Sequence, residues 1–364
     1  MTCPAATADS ASCKCNASMP QTLKDITKSA ILEMVRSVNP GTDRWKVLVV
    51  DQLTVKILSS ACTLSDVTDE QVMIIESLEK DRQPMPDTDV LYFLEPTAQS
   101  VDKMLEDFSS KPKYAGVHIF FTSRVPDDLI SKMKRSVQFI SRVRALREVQ
   151  LEFLSHESQV FLLNMPGSFR DLYASSPGAA PGTPPPHGML NAVWEDIALR
   201  LTTAMITMNE FPTIRHMKGN QNSMSVATKV YDKLRDHKTT APGWSPNSDS
   251  PATLVIVDRS YDALAPLMHE YTYQAMVYDT LTIANDVYQH EATLADGKKE
   301  TKSVLLNEND TVWADNRNLF ISDAVEKVLP FTIFVFIIAV RSAALIAQVV
   351  AWFRHFSLFY ADHC

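Results

Sequence analysis

The sequence predicts an α/β protein built of successive parallel-sheet domains covered by helices. Three observations carry that reading. Short apolar runs rich in β-branched residues recur at 45–50, 89–94 and 116–121, the pattern of strands buried on both faces of a sheet. Helical periodicity fills stretches between such runs, so strand and helix alternate as in βαβ units. With 364 residues, the chain exceeds what one hydrophobic core usually serves, and two or three domains are expected.

Taken in order, Leu23–Val38 places Leu23, Ile26, Ala30, Ile31, Met34 and Val38 at helical spacing, and Asn39-Pro40-Gly41 ends that helix as a turn. Trp45–Val50 is a buried-strand run closed by Asp51. Val67–Lys80 is expected as a helix whose early Asp69 and Glu70 suit the positive end of the dipole. Asp89–Leu94 is a strand, Ala98–Phe108 a helix and Gly116–Phe121 another strand. After Pro126 a single long helix is expected, with Leu129, Met133, Val137, Ile140, Val143 and Leu146 on one face. Its opposite face carries Lys132, Lys134, Arg135, Arg142, Arg144 and Arg147, a solvated face by default and a lure for an acidic partner or lipid headgroup otherwise.

Val149–Phe153 and Gln159–Leu163 look like further strands. Ser175–Gly188, SSPGAAPGTPPPHG, is too rich in Pro and Gly to pack and reads as a loop or linker. Asn191–Glu210 returns to helical periodicity through Val193, Ile197, Leu201, Ala204, Met205 and Met208, a core stripe. Ser223–His237 is a further helix. Thr253–Val257 is an apolar strand expected to be buried on both faces, ending on Asp258-Arg259 at the carboxyl edge of a sheet, where binding groups gather. Pro266 allows a helix to begin, followed by Leu267, Tyr271, Met276, Val277 and Leu281 at roughly helical spacing.

Composition narrows the function. Hydrophobic content of 45% with 21% charged residues is that of a globular chain, and a formal net charge of −8 argues against a general nucleic-acid binder. Five cysteines, at 3, 13, 15, 62 and 364, show no disulfide framework and read as reduced thiols. Cys13 and Cys15 alone cannot fill a tetrahedral metal site, and the first residues read as a disordered tail without a secretory signal.

The string DRSYDALAPLMHEYTYQAMVYD, residues 258–279, resembles the signature of the Sec/Munc (SM) family of syntaxin-binding proteins over more than twenty consecutive positions. WKVLVVDQLTVKILSSAC, SLEKDRQPMPDTDVLYFLEPT, RALREVQLEF, NEFPTIRH and VLLNENDTVW resemble further family segments in the same order, with plant members as the nearest type. The resemblance covers roughly Leu23 to Val328. It implies a disordered tail over 1–21, a first α/β domain over 22–149, part of a second over 150–265 and the start of a helical arch over 266–328.

Residues 329–364 depart from the family. The apolar run there is long enough to span a bilayer at ~20 residues, although Arg341 and Gln348 lie inside it and a central Arg costs ~2.5–3.5 kcal/mol on insertion scales. The expectation is an aberrant, truncated product; a membrane anchor and a core helix are the other readings.

No catalytic pattern stands out: G-x-S-x-G, P-loop, G-x-G-x-x-G and H-E-x-x-H are all missing from the sequence. His269-Glu270 lacks a second ligand at i+4. Asp51, Asp258 and Asp262 lie at or beyond strand ends with no nucleophile at a recognisable spacing, so salt bridges and turn capping are preferred to hydrolysis. The resemblance implies a non-enzymatic regulator of vesicle docking and fusion, cytoplasmic and peripheral at plasma or vesicle membranes. It would be monomeric, without cofactor or metal, and would bind a syntaxin-type (Qa) SNARE and SNARE complexes. Residue by residue, the resemblance places Asp51, Lys56, Thr63 and Glu76 on the syntaxin cleft, Thr63 standing where some members have a basic residue. It places a pocket for the syntaxin N-terminal peptide on Val117–Arg135, with Phe120, Leu129 and Met133 as apolar candidates. Asp258, Arg259, Asp262, His269 and Glu270 are implied as structural residues of the signature. A membrane-anchored α/β protein and an α/β hydrolase are the alternatives.

Overall fold

The computed structural model describes residues 21–38, 45–109, 111–175, 180, 183, 185–247, 250–284, 286–293 and 299–328. The expectations for the tail with Cys3, Cys13 and Cys15, for most of the Pro/Gly-rich linker and for 329–364 with Cys364 lie outside the described residues. The chain divides into two units, residues 1–258 and 259–364, each described by itself.

The first unit opens with α1 (Leu23–Arg36), started by a Thr22/Asp25 capping box. Strand β1 (Lys46–Val50) leads into α2 (Gln52–Ala61) and the short α3 (Leu64–Thr68). Then follow β2 (Val72–Ser77), β3 (Asp89–Leu94), α4 (Ala98–Glu106), β4 (Val117–Phe121), α5 (Asp127–Arg135), α6 (Val137–Ile140) and β5 (Val143–Glu148). The five strands form one all-parallel sheet in the order β2-β1-β3-β4-β5. Every residue of β1 and β3 is buried, because alternate side chains enter two cores. Leu48, Val50, Leu91, Phe93 and Phe120 pack with residues of α1, α2, α8 (His187–Thr207) and α9 (Gln221–Thr240). Val47, Val49, Val90, Tyr92, Ile119 and Phe121 pack with residues of α4 and α5. A parallel sheet requires this double cover.

Two helices expected from periodicity are corrected. Within Val67–Lys80, α3 ends at Thr68 and Val72–Ser77 is strand β2, paired in register with β1. The long helix after Pro126 is instead α5, α6 and edge strand β5, because Val143–Glu148 pairs with the open side of β4. In both cases long-range backbone pairing overrides an apolar spacing that suits either structure.

The remainder of this unit holds the short hairpin β6 (Leu154–Ser155) and β7 (Phe161–Leu162), then α7 (Ser168–Tyr173), α8, β8 (Thr213–His216), α9 and β9 (Thr253–Ile256). The strand expected to be buried on both faces, β9, is not: Leu254 and Ile256 pack on the core while Val255 and Val257 stay 60% and 59% exposed. Among the described residues it pairs only with β8, and the face that carries Val255 and Val257 is left without a covering layer.

The second unit begins with 3-10 turns at Arg259–Tyr261 and Ala265–Leu267. It continues through α10 (Tyr273–Thr280), an antiparallel sheet of β10 (Ile283–Ala284), β11 (Val287–Thr293) and β12 (Lys299–Leu305), and α11 (Thr311–Asn316). The helix expected from Pro266 therefore starts seven residues later, where Thr272 caps Ala275 N. Pro266 serves the 3-10 turn instead.

Two local constraints fix the amino edge of the large sheet. Gly116 lies so close to the Arg144–Asp89 ion pair that a Cβ there would overlap the guanidinium and the carboxylate. Buried Lys46 reaches back from β1 to donate to Val35 O at 2.6 Å and Val38 O at 2.7 Å, capping the end of α1. Burial lowers its pKa to about 8, and a neutral amine still has the two N–H groups these carbonyls need.

Gly116→Ala is expected to destabilise the chain by about 1–3 kcal/mol through overpacking, read as a fall in thermal midpoint. Lys46→Met orphans two carbonyls and is expected to cost about 1–3 kcal/mol. The unfolded lysine, with a pKa near 10.4, holds its proton over a range where the folded one has released it. The native chain should therefore gain stability on Lys46→Met as pH rises from 8 to 10, by at most about 1.4 kcal/mol per unit. Denaturant titrations of both proteins across that range check the sign.

Candidate partner-binding site

The carboxyl edge of the large sheet opens into a groove of about 410 Å³ between the end of β1, the start of α2 and strand β2. Asp51 organises it. Its Oδ1 accepts hydrogen bonds from Leu53 N (3.1 Å), Thr54 N (2.9 Å) and Thr54 Oγ1 (2.9 Å), and its Oδ2 from Glu95 N (2.6 Å) and Ser100 Oγ (3.2 Å). Both oxygens are spent inside the protein and the residue is 5% exposed. Asp51 thus caps α2 and ties it to the segment after β3; it does not face outward.

The groove's outward chemistry comes from the helix it caps. Leu53, Thr54, Ile57 and Leu58 are buried while Gln52, Val55, Lys56 and Ser59 form the exposed face, the i, i+3, i+4, i+7 spacing of an amphipathic helix. Across from it, half-buried Glu76 accepts from Tyr114 Oη at 3.2 Å. Exposed Thr63 caps α3, exchanging hydrogen bonds with Asp66. The hydrogen bond from Lys28 is the largest of several that hold the Asp66 carboxyl down at about 2. The rim beyond β2 is pinned by Arg82, which donates to Ser77 O and to Asp107 at 2.6 Å. Asp107 also accepts from Tyr92 Oη, whose pKa burial pushes well up.

Four residues expected on a cleft, Asp51, Lys56, Thr63 and Glu76, therefore fall along α2 and its two flanks, with only Asp51 withdrawn from the surface. The three apolar peptide-pocket candidates fare differently. Phe120 is 1% exposed in one core, while Leu129 and Met133 are 5% and 2% exposed in the other, across the sheet. They share no surface. Two apolar residues that the sequence reading did not offer for the pocket reach the surface more. Leu146 on β5 pairs with Ile119, so it projects on the α5 side of the sheet, yet is 40% exposed because β5 is an edge. Ile130 of α5 is partly buried against that same core. Glu148 on β5 accepts from Val125 N at 2.8 Å. The signal was the two-residue alternation of Val143–Glu148, hidden by its helical spacing.

Of the signature residues, Asp258, Arg259, Asp262 and His269 make contacts within their own units. Buried Asp258 accepts from Asn222 Nδ2 at 2.9 Å, and Asn222 in turn accepts from Trp194 Nε1, a relay linking α8, α9 and the end of β9. In the second unit, Asp262 Oδ1 accepts from Leu264 N and Ala265 N, which hold its carboxyl below the usual range, and Arg259 donates to Asp262 O at 2.7 Å. Exposed His269 pairs with Asp279 at 2.9 Å, and Glu270 is exposed. The carboxylates considered for hydrolysis, Asp51, Asp258 and Asp262, are thus each engaged by backbone or amide donors. Among the described residues no group of three His, Cys, Asp or Glu could hold a metal ion, and no helix is long and apolar enough to cross a membrane.

A family model, "Sec1 family", matches residues 46–329. The chain is 36% identical over 309 residues to the protein transport protein sec1 of Dictyostelium discoideum, covering 84% of this chain and 50% of that one. It is 34% identical over 322 residues to the SNARE-interacting protein KEULE of Arabidopsis thaliana, covering 84% and 47%. Among solved structures, the Unc18–syntaxin 1 complex of Monosiga brevicollis matches with TM-score 0.73 and 30% identity, over 85% of this chain and 53% of that one. Sly1p in complex with an N-terminal peptide of Sed5p matches with TM-score 0.69 and 25% identity, over 85% and 52%. The chain spans about half the length of the curated relatives it matches.

Asp51→Ala would free the Glu95 amide and the first amides of α2 together. A loss of about 1–3 kcal/mol is expected, with hydrogen exchange accelerated at Leu53 and Thr54 before the rest of the sheet.

Proposed function

The chain belongs to the Sec1 family, and from that premise we propose that it is a non-catalytic regulator of vesicle docking and fusion that binds syntaxin-type (Qa) SNAREs. It works in the cytoplasm, peripherally at plasma or vesicle membranes through its SNARE partner, as a monomer without cofactor. The observation that carries this reading is the amphipathic α2 beside the groove. Its exposed Gln52, Val55, Lys56 and Ser59 and the facing Glu76 offer an apolar centre flanked by both charges. That pattern suits a helical partner laid in a groove, where charge complementarity gives specificity and association rate more than affinity. The matching Unc18 and Sly1p structures are complexes with syntaxin 1 and with a Sed5p N-terminal peptide, which supports both a helical and a peptide mode. For the peptide mode the pocket moves from Phe120, Leu129 and Met133 to the surface of Ile130 and Leu146, since only exposed groups can gain from burial on binding.

The two modes separate experimentally. A Val55→Asp/Lys56→Glu variant is expected to weaken binding of a helical Qa-SNARE segment about tenfold or more, roughly 1.4 kcal/mol, with N-terminal peptide binding unchanged. Leu146→Asp is expected to do the reverse. Titration of both variants against both ligands is the check, and wild-type affinities throughout would refute the assignment.

A further inference from the structure

The function above leaves unused the amino edge of the large sheet, the end of the strands opposite the groove. Helix α6 lies there, because β5 starts just after it and Val117 N, at the start of β4, donates to Arg142 O at 3.0 Å. Phe139 anchors α6. It is fully buried and meets Phe108 edge to face, with ring centroids 5.4 Å apart. The residues on either side of it face solvent: Val137 is 76% and Ile140 44% exposed, and at i, i+3 spacing they are neighbours on the helix surface. Cations surround this pair. Lys134 and Arg135 precede it at the end of α5, Arg142 follows it, and Lys111 stands on the segment after Phe108. None of these four forms an ion pair among the described residues, whereas Lys132 is held by Asp102, Lys113 by Asp107 and Arg144 by Asp89. Asp127 and Asp128 stand at the far end of α5, and Glu106 and Asp87 are the exposed acids on neighbouring segments. Positive charge thus collects at one edge of a chain whose net charge is −8.

We propose that this edge rests directly on an anionic phospholipid bilayer, with Lys111, Lys134, Arg135 and Arg142 among the headgroups and Val137 and Ile140 at the acyl boundary. An exposed apolar pair ringed by unpaired cations has both parts of an interfacial surface. The charges are drawn to an anionic leaflet, and the side chains supply apolar area to bury in it. A bilayer fits better than an acidic peptide. The charges come from three separate segments around a highly exposed pair, which makes a surface rather than a cleft. Since the strands run from this edge to the groove, contact here leaves the groove at the opposite end, open to a SNARE. The inference adds a direct lipid contact to association through a SNARE and rests on neither binding mode proposed above.

The test floats the full chain, without any SNARE, on vesicles of phosphatidylcholine alone and of phosphatidylcholine with phosphatidylserine. Binding is expected on the mixed vesicles in excess of the neutral ones, and it should fall as salt screens the charges. Lys134→Glu with Arg135→Glu is expected to weaken that excess about tenfold or more, and Val137→Asp with Ile140→Asp about threefold or more. Residues 329–364 are the same in every protein compared, so any lipid affinity of that apolar run cancels. Thermal midpoints report whether each variant keeps its fold, and Lys134→Gln with Arg135→Gln is the milder pair should the charge reversal unfold the chain. Equal binding to both kinds of vesicle, or an excess left unchanged in the folded variants, would overturn the proposal. So would a chain that ignores both vesicles yet binds soluble polyglutamate through Lys134 and Arg135, which assigns the edge to an acidic protein instead.

Discussion

One buried carboxylate holds the functional edge of this protein together. Asp51 receives donors from the first turn of α2, from the end of β3 at Glu95 and from Ser100 of α4. It thereby fixes the helix whose outer face walls the groove relative to two neighbouring segments. A second tie runs through Arg200 of α8, which donates to Glu95 and lies 3.5 Å from buried Glu152. Burial raises the pKa of both of those carboxyls, so the arginine compensates charges that would otherwise be costly. A groove held this firmly loses little entropy when a long partner is laid into it.

The central strands were plain in the sequence for the same reason that they are stable. β1, β3 and β4 lie between two cores, so their residues are apolar on both faces and no helix period intrudes. The edge strands β2 and β5 are only partly buried, and in Val72–Ser77 and Val143–Glu148 the apolar residues fall at spacings that a helix also satisfies. Only pairing with β1 and β4, contacts distant in sequence, decides between them. The same edge effect governs the binding residues. Glu76 lines the groove, and Lys56 and Thr63 lie on and just after α2, whereas Phe120 of β4 and Leu129 and Met133 of α5 are packed into the two cores and do not reach solvent. Leu146 reaches it because nothing pairs beyond β5 among the described residues. β9 teaches the converse: its apolar run reads as doubly buried, but among the described residues only the face of Leu254 and Ile256 is covered.

The two proposed binding surfaces follow from one architecture. A parallel sheet places helix starts and loop ends at its carboxyl edge, where α2 presents its amphipathic face. Edge strand β5 leaves Leu146 40% exposed on the side of the sheet that α5 covers, where Ile130 is half-buried. The proposal thus puts helical and extended ligands on separate parts of one small scaffold. The signature segment of the second unit shows the same economy. Asp262 and Arg259 are consumed in shaping a stiff turn that presents Leu264, Leu267 and Met268 outward, each at least 67% exposed.

The central claim is that α2 and β2 together receive a SNARE helix. Hydrogen exchange with and without a helical Qa-SNARE segment tests it most directly, because the footprint reports position as well as binding. Protection should appear in Gln52–Thr63 and Val72–Ser77 on adding the segment. Protection confined to other elements, or none at saturating ligand, would contradict the account.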